Sequence, residues 1–363
     1  MYICCLICKK QTVKILILYT EIAGYVLACV REFIALYPDV EVHIVRYPIN
    51  KEAPFEIATL GGLTEHDRQS FDRASLIKFA EDLHPQIVIC SGWVDKDYLA
   101  TIKRLGPHIQ KVMVLDNHWT GSLKQRILRL LSPLFLRPYF NTIWVPGLPQ
   151  ADYAQKLGFK SNQILSGFYC GDVNLFSAYY TQFKLKKETQ MPKRFICVAR
   201  YIEAKNLQLL WDAFIELYDA GKLSDWELYC VGTGEGFSFK QEHKAIVHKG
   251  FIQPEYMSQV IGETGVFVLP SKFEPWGVVV HEFAAAGYPM LVSNRVGAAT
   301  EFVINEKNGY LFNPYSKEDL KEKLMLFASL SNKEFKAMSD ISIEFSQKIN
   351  TTKWAQQLYN LVK

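Results

Sequence analysis

Apolar residues in this chain fall into short runs, and between the runs lie stretches with helical spacing. VKILILY (13–19) has the continuous apolar character of a strand buried in a parallel sheet, and Ala23 to Leu36 follows with helical periodicity. Further strands are predicted at VEVHIVRY (40–47), PQIVICSG (85–92), KVMVLDN (111–117) and TIWVPG (142–147), with helical stretches near 74–83, 96–105 and 122–131. After the polar, basic FKLKKETQMPKR (183–194) the alternation restarts at RFICVARY (194–201). It continues through a helix from Leu207 to Tyr218, strands WELYCVG (226–232), AIVHKGF (245–251) and GVFVLPS (265–271), a helix from Val279 to Ala286, and PMLVSN (289–294). Alternation of this kind predicts an α/β fold of two Rossmann-like, doubly wound domains, with the ligand in the cleft where their strand ends face each other. The boundaries read as 1–182, a linker at 183–193, a second domain at 194–345, and a closing segment 346–363. Within that segment TTKWAQQLYNLVK (351–363) looks helical.

Composition supports a packed globular enzyme or binding protein and excludes disorder: 363 residues, 49% hydrophobic, 21% charged and 13% aromatic. A net charge of +4 is too balanced for a nucleic-acid binder, so no nucleic-acid partner is expected. The cysteines at 4, 5, 8, 29, 90, 170, 197 and 230 show no repeated CxxC pair and no finger spacing, so reduced, buried thiols are expected and no zinc site. No apolar run reaches the roughly 18 residues of a membrane span. The opening MYICCLICKK has its lysines after its apolar part, the reverse of a secretory signal, so an extra edge strand or a disordered leader and a cytoplasmic location are expected.

The densest chemical signal is SKFEPWGVVVHEFAAAGYPMLVS (271–293). A strand ends there, a Pro/Gly loop follows, and a helix begins near Gly277, where unpaired N–H groups suit a phosphate and a glycine lets a ligand approach the backbone. Glu274 precedes the helix and Glu282 lies within it, so the two carboxylates either flank one elongated ligand or serve as a cap and a surface ion pair. VGTGEGF (231–237) holds Phe237 where a dinucleotide fingerprint needs its third glycine, which disfavours NAD. No P-loop, HExxH, GxSxG or DxD pattern occurs.

The Glu-x7-Glu stretch, the surrounding FEPWGVVVHEFAAAGYPMLVSNRVGAATEFVINEKNGYLF, VARYIEAKNLQLLWDAF (198–214) and WELYCVGTGEG (226–236) together resemble the family 4 retaining glycosyltransferases, also called glycosyl transferases group 1. The resemblance covers nearly all of 194–314 and implies the GT-B fold, with an acceptor-side first domain, a nucleotide-sugar-binding second domain and a C-terminal helix (346–363) that crosses back to the first domain. It implies that Arg200 and Lys205 grip the diphosphate of a nucleotide-sugar, that Glu282 holds the ribose hydroxyls, and that Glu274 meets the donor sugar. The backbone of Trp276, Gly277 and Val278 would face the phosphates, with Trp276 in place of the more frequent Phe. In the first half, TEIAG (20–24) keeps only Gly24 of the Gly-Gly loop that often approaches the donor. VLDNHWTGSLKQ (114–125) resembles the acceptor-side loop of bacterial surface-polysaccharide members, which makes His118 and Asp116 the polar contacts there. A histidine with a pKa near neutrality could assist an acceptor hydroxyl or simply order the loop.

The resulting expectation is a retaining, metal-independent hexosyltransferase of bacterial surface-polysaccharide synthesis. It would move a sugar from a nucleotide-sugar to a glycan or lipid-linked acceptor, with no cofactor. A second reading is a catalytically idle GT-B protein that binds a nucleotide or a partner. In LKQRILRLLSPLFLRPYF (123–140), Leu123, Ile127, Leu130, Leu131 and Leu134 share one helical face amid Lys124, Arg126, Arg129 and Arg137. Such a stripe either packs on the sheet or lies on an anionic membrane surface, and both readings stay open.

Overall fold

The computed structural model describes residues 12–49 and 60–362, so the leader MYICCLICKK with Cys4, Cys5 and Cys8 lies outside the described residues. The first sheet contains β1 (Val13–Tyr19), β2 (Val40–Arg46), β3 (Leu63–Asp67), β4 (Ile87–Cys90), β5 (Gln110–Val114), β6 (Thr142–Val145) and β7 (Ile164–Ser166). Its order is β3-β2-β1-β4-β5-β6-β7, parallel throughout. The second sheet contains β8 (Arg194–Val198), β9 (Glu227–Val231), β10 (Ile246–Lys249), β11 (Val266–Leu269), β12 (Met290–Ser293) and β13 (Gly309–Phe312). Its order, β10-β9-β8-β11-β12-β13, repeats the same doubly wound plan. The expected α/β class with two Rossmann-like sheets is therefore what the chain forms.

Central strands are apolar on both faces because helices cover both. Along β1, Ile15, Ile17 and Tyr19 enter one core while Leu16 and Leu18 enter another on the opposite face. The first of these cores runs on into the second sheet through Ile196, Phe267 and Leu269, so one apolar layer is continuous between the two halves. The described cysteines, Cys29, Cys90, Cys170, Cys197 and Cys230, are all buried and unpaired by disulfides.

One expected loop is not a loop. The basic stretch read as a linker at 183–193 is helical as far as Thr189, at the end of helix Val173–Thr189, and the irregular part is only the short run around Pro192. Asp172 caps this helix by accepting from the Leu175 N–H, and Val173, Phe176 and Tyr179 are buried along it. Its lysines misled because Lys186 and Lys187 sit in the last turn, where positive charge complements the helix dipole. The closing helix Thr351–Val362 packs on helix Gly24–Leu36 of the first half, where Tyr359 stacks on Tyr37 at 3.9 Å. Its Trp354 stacks on Trp144 and donates to the Phe168 carbonyl at 3.0 Å.

Candidate active site

In each sheet the strand order reverses at one point, between β1 and β4 and between β8 and β11. The loops leaving these strands converge on a cleft of about 710 Å³. Its first-half wall carries Tyr19, Thr20 and Glu21 after β1, Ser91 to Val94 after β4, and Asp116 and Asn117 after β5. The opposite wall carries Arg200 and Lys205 after β8, and Glu274 to Val279 after β11.

The geometry at Glu274 begins with a glycine. Gly277 adopts φ +90°, and a Cβ there would lie 3.0 Å from the Glu274 Cγ and 3.1 Å from the Val296 Cγ1. A side chain there would be strained by the conformation and crowded by its neighbours. The loop is fastened by backbone bonds from Glu274 N–H to the Arg295 carbonyl and from Gly297 N–H to the Glu274 carbonyl. Helix Val278–Ala285 starts immediately afterwards with no side-chain cap and no acidic residue in its first turn, so its positive end faces the cleft uncompensated.

Arg200 and Lys205 approach from β8, and Lys205 forms an ion pair with Glu274. Burial pulls the Lys205 ammonium down to about 8, and the Arg200 cation adds to the shift. Both partners of the pair are mostly screened from solvent, with about 15% and 16% of their side chains accessible.

Glu282 lies one step further along the helix and lines a second cavity, of about 220 Å³, that shares Tyr25, Arg200, Val278 and Val279 with the cleft. The rest of that cavity is largely apolar, with Phe176, Val198, Val231, Met257 and Phe283 among its walls. Burial pushes the Glu282 carboxyl up to about 8, and the Asp172 and Glu255 charges act the same way. Gly171 makes the space: a Cβ there would meet the Glu282 Cγ at 2.8 Å. Next to it, His281 is fully buried with its Nδ1 accepting from the Gly171 N–H and its Nε2 on the Ser346 carbonyl. Burial holds this imidazole down at about 4, so it is neutral and acts as a pin that sets the helix against the first half.

The residues expected in the first half separate. Asp116 faces the cleft and is half-buried, with its carboxylate accepting from the Tyr169 hydroxyl at 3.4 Å and from the Asn117 side chain at 3.0 Å. Burial raises its pKa. His118 is not among the residues lining the cleft. Its ring lies 4.8 Å from that of Phe273 and hydrogen-bonds the Pro275 backbone, while its Nδ1 has no partner among the described residues. Burial lowers its pKa. Its position is thus a latch to the Glu274 loop. Gly24 opens helix Gly24–Leu36, and its neighbours Ala23 and Tyr25 are the ones that line the cleft. The Trp276 indole is buried, packed against Gly147 and edge-on to Phe302.

Sequence reading missed Tyr25, Tyr169 and Tyr19, a trio in which the buried Tyr19 donates its hydroxyl proton to the half-buried Tyr169 and Tyr169 in turn to Asp116. It also missed Ser91 to Val94. The signal for this loop was available: it follows the strand at the switch point, where doubly wound sheets bind ligands. Among the described residues no cluster of three His, Cys, Asp or Glu side chains is placed to hold a metal ion.

Arg200, Lys205 and Glu274 thus gather at the uncapped start of helix Val278–Ala285, with Glu282 further along it. Residues 181–342 match the family described as Glycosyl transferases group 1. Arg200, Lys205, Glu274 and Glu282 all lie inside that stretch. The sulfoquinovosyl transferase SQD2 of Arabidopsis thaliana is 32% identical over 177 residues, 46% of this chain and 33% of that protein. The uncharacterized glycosyltransferase MJ1607 of Methanocaldococcus jannaschii is 35% identical over 158 residues, 41% of this chain and 39% of that protein. The chain thus spans well under half the length of both relatives. The structure of HepE from Anabaena, solved with UDP and glucose, superposes with a TM-score of 0.71 over 96% of this chain and 98% of that one, at 15% identity. At that identity the likeness establishes the fold, which is GT-B.

Proposed function

We propose that this chain is a glycosyltransferase that moves a sugar from a nucleotide-sugar to a hydroxyl of a glycan or lipid-linked acceptor. The observation that carries the reading is the convergence of Arg200, Lys205 and Glu274 with the uncapped start of helix Val278–Ala285 on one cleft, beside the apolar cavity of Glu282. That cavity suits a nucleoside, with the Glu282 carboxylate accepting from the ribose diol. The diphosphate takes the helix start, where Arg200 and Lys205 supply positive charge as negative charge develops on the leaving group, and no metal is needed for that charge balance. Arrival of the diphosphate competes with Glu274 for Lys205, which frees the Glu274 carboxylate for the hydroxyls of the donor sugar. Asp116, on the opposite wall, meets the acceptor hydroxyl, and His118 holds the acceptor-side loop against the donor loop.

Retention of configuration and a role in bacterial cell-surface polysaccharide synthesis follow from the family resemblance and belong to the same proposal. Peripheral placement on the cytoplasmic face of a membrane, through residues 123–140, rests separately on the apolar and basic pattern of that stretch. No helix among the described residues is long and apolar enough to cross a membrane.

The test is turnover with a panel of nucleotide-sugars, uridine nucleotides first because HepE was solved with UDP. Replacing Arg200 or Glu274 by alanine is expected to lower turnover by about 10²–10³, the range for losing a group that stabilises developing charge. Wild-type turnover in both variants would overturn the site. Chelator is expected to leave turnover unchanged.

A further inference from the structure

Helix Leu123–Phe135 rests on the first half by one narrow face. Ser132 is buried, as is Leu136 just after the helix, while Gln125 and Leu128 are half-buried. The opposite face carries Leu123, Ile127, Leu130, Leu131 and Leu134, with Phe135 beside them, and all six are exposed. Leu130 and Leu123 reach 77% and 73% exposure. The apolar stripe therefore does not pack on the sheet; a different set of side chains does that. Lys124, Arg126 and Arg129 flank the stripe and Arg137 follows it, and between Asn117 and Ala151 the sequence has no acidic residue. An exposed apolar face on a segment that carries cations and no acidic residue is complementary to a surface that is apolar inside and negative outside.

This helix is also tied to the cleft. The Gln125 side-chain oxygen accepts from the Thr120 and Gly121 N–H groups, its amide donates to the His118 carbonyl, and Arg126 donates to the Gly121 carbonyl. The loop 116–122 at the cleft and the helix thus form one hydrogen-bonded unit.

We propose that helix Leu123–Phe135 seats the chain on an anionic lipid surface and, through Gln125, holds the cleft mouth at that surface, so that the acceptor hydroxyl is presented from the lipid layer. The presentation of the acceptor rests on the glycosyl-transfer reading; the seat does not.

The seat is tested by floating the full chain with vesicles of phosphatidylglycerol and phosphatidylcholine, or of phosphatidylcholine alone, and by following hydrogen exchange in the anionic mixture. The wild type is expected to float with the anionic vesicles only, with new protection over 116–135. The Leu130→Glu/Leu134→Glu double variant is expected to lose about tenfold or more in partition, with an unchanged melting temperature as proof of folding. Wild-type chain left in the bottom fraction, a double variant that floats equally well, or protection elsewhere would overturn the seat. So would a concentration-dependent dimer that the double variant dissolves, since the stripe would then serve a second copy. Flotation without turnover of any nucleotide-sugar would leave the seat standing and sink the transfer reading. Turnover without flotation would do the reverse.

Discussion

Burial penalises the charged form of both Glu282 and Lys205, and each penalty is measurable. The Glu282 carboxyl is raised from an ordinary 4.5 to about 8, so folding favours its protonated form. The stability it contributes is complete below 4.5 and is lost as pH rises through 8. Glu282→Gln, which cannot ionise, is therefore expected to melt at a similar temperature to the wild type at the acid end of this window and at a higher one above it. Thermal melts across the window check this, and parallel curves would show that the carboxyl is not strained by burial. Lys205 runs the other way, with its ammonium lowered to about 8 in the free protein. As pH rises above 8, the wild type should lose affinity for a nucleoside diphosphate by up to about tenfold per pH unit. Lys205→Arg keeps its charge at any accessible pH, so calorimetry should find this alkaline limb gone in the variant.

At the level of elements, the loop into helix Val278–Ala285 depends on Gly277 at φ +90°. Gly277→Ala places a Cβ against Glu274 and Val296 in a left-handed conformation, which costs about 1–2 kcal/mol. A lower denaturation midpoint together with weaker nucleotide binding is expected, because the strain falls on the residue that positions Glu274. The same loop was the most legible part of the chain, since Pro275, Gly277 and the carboxylates spaced around them mark a turn and a helix start without reference to anything distant. Central strands such as β1 and β11 were legible because burial on both faces leaves an unbroken apolar run. The edges were not. In β3, LTEHD is half-exposed and polar, and β7 has only three residues, so neither carries a strand's apolar signature. Helix Val173–Thr189 was hidden by lysines that read as loop, although Lys184 and Lys186 are exposed on it and Lys187 lies over the Tyr288 ring. The stripe on helix Leu123–Phe135 was visible as a pattern, but which face turns inward depends on Leu128 and Ser132 finding the first half's core, and periodicity alone does not decide that.

Across the cleft, one buried side chain hydrogen-bonds both walls. Gln150 is fully buried, and its side-chain amide donates to two carbonyls, that of Asp116 in its own half and that of Pro275 in the donor loop opposite. His118 reaches the same Pro275 backbone, and the Leu148 N–H donates to Glu301 nearby. Gln150 was not legible as functional because a buried glutamine in a helix has no local signature; its role exists only once β5 and the Glu274 loop meet. Gln150→Ala leaves the Asp116 carbonyl without this buried donor and the Pro275 carbonyl with His118 alone, at a cost of about 1–3 kcal/mol, and most of that cost falls on the closed arrangement rather than on either half. The variant is therefore expected to open: a larger radius of gyration by small-angle scattering without ligand, restored toward the wild-type value by a nucleoside diphosphate that bridges Arg200 and the first-half wall. A looser cleft admits water to the donor, so the ratio of donor hydrolysis to sugar transfer should rise. Unchanged scattering with an unchanged hydrolysis ratio would mean that the two halves are held together by their continuous apolar layer and that the Gln150 bridge only trims the loops it touches.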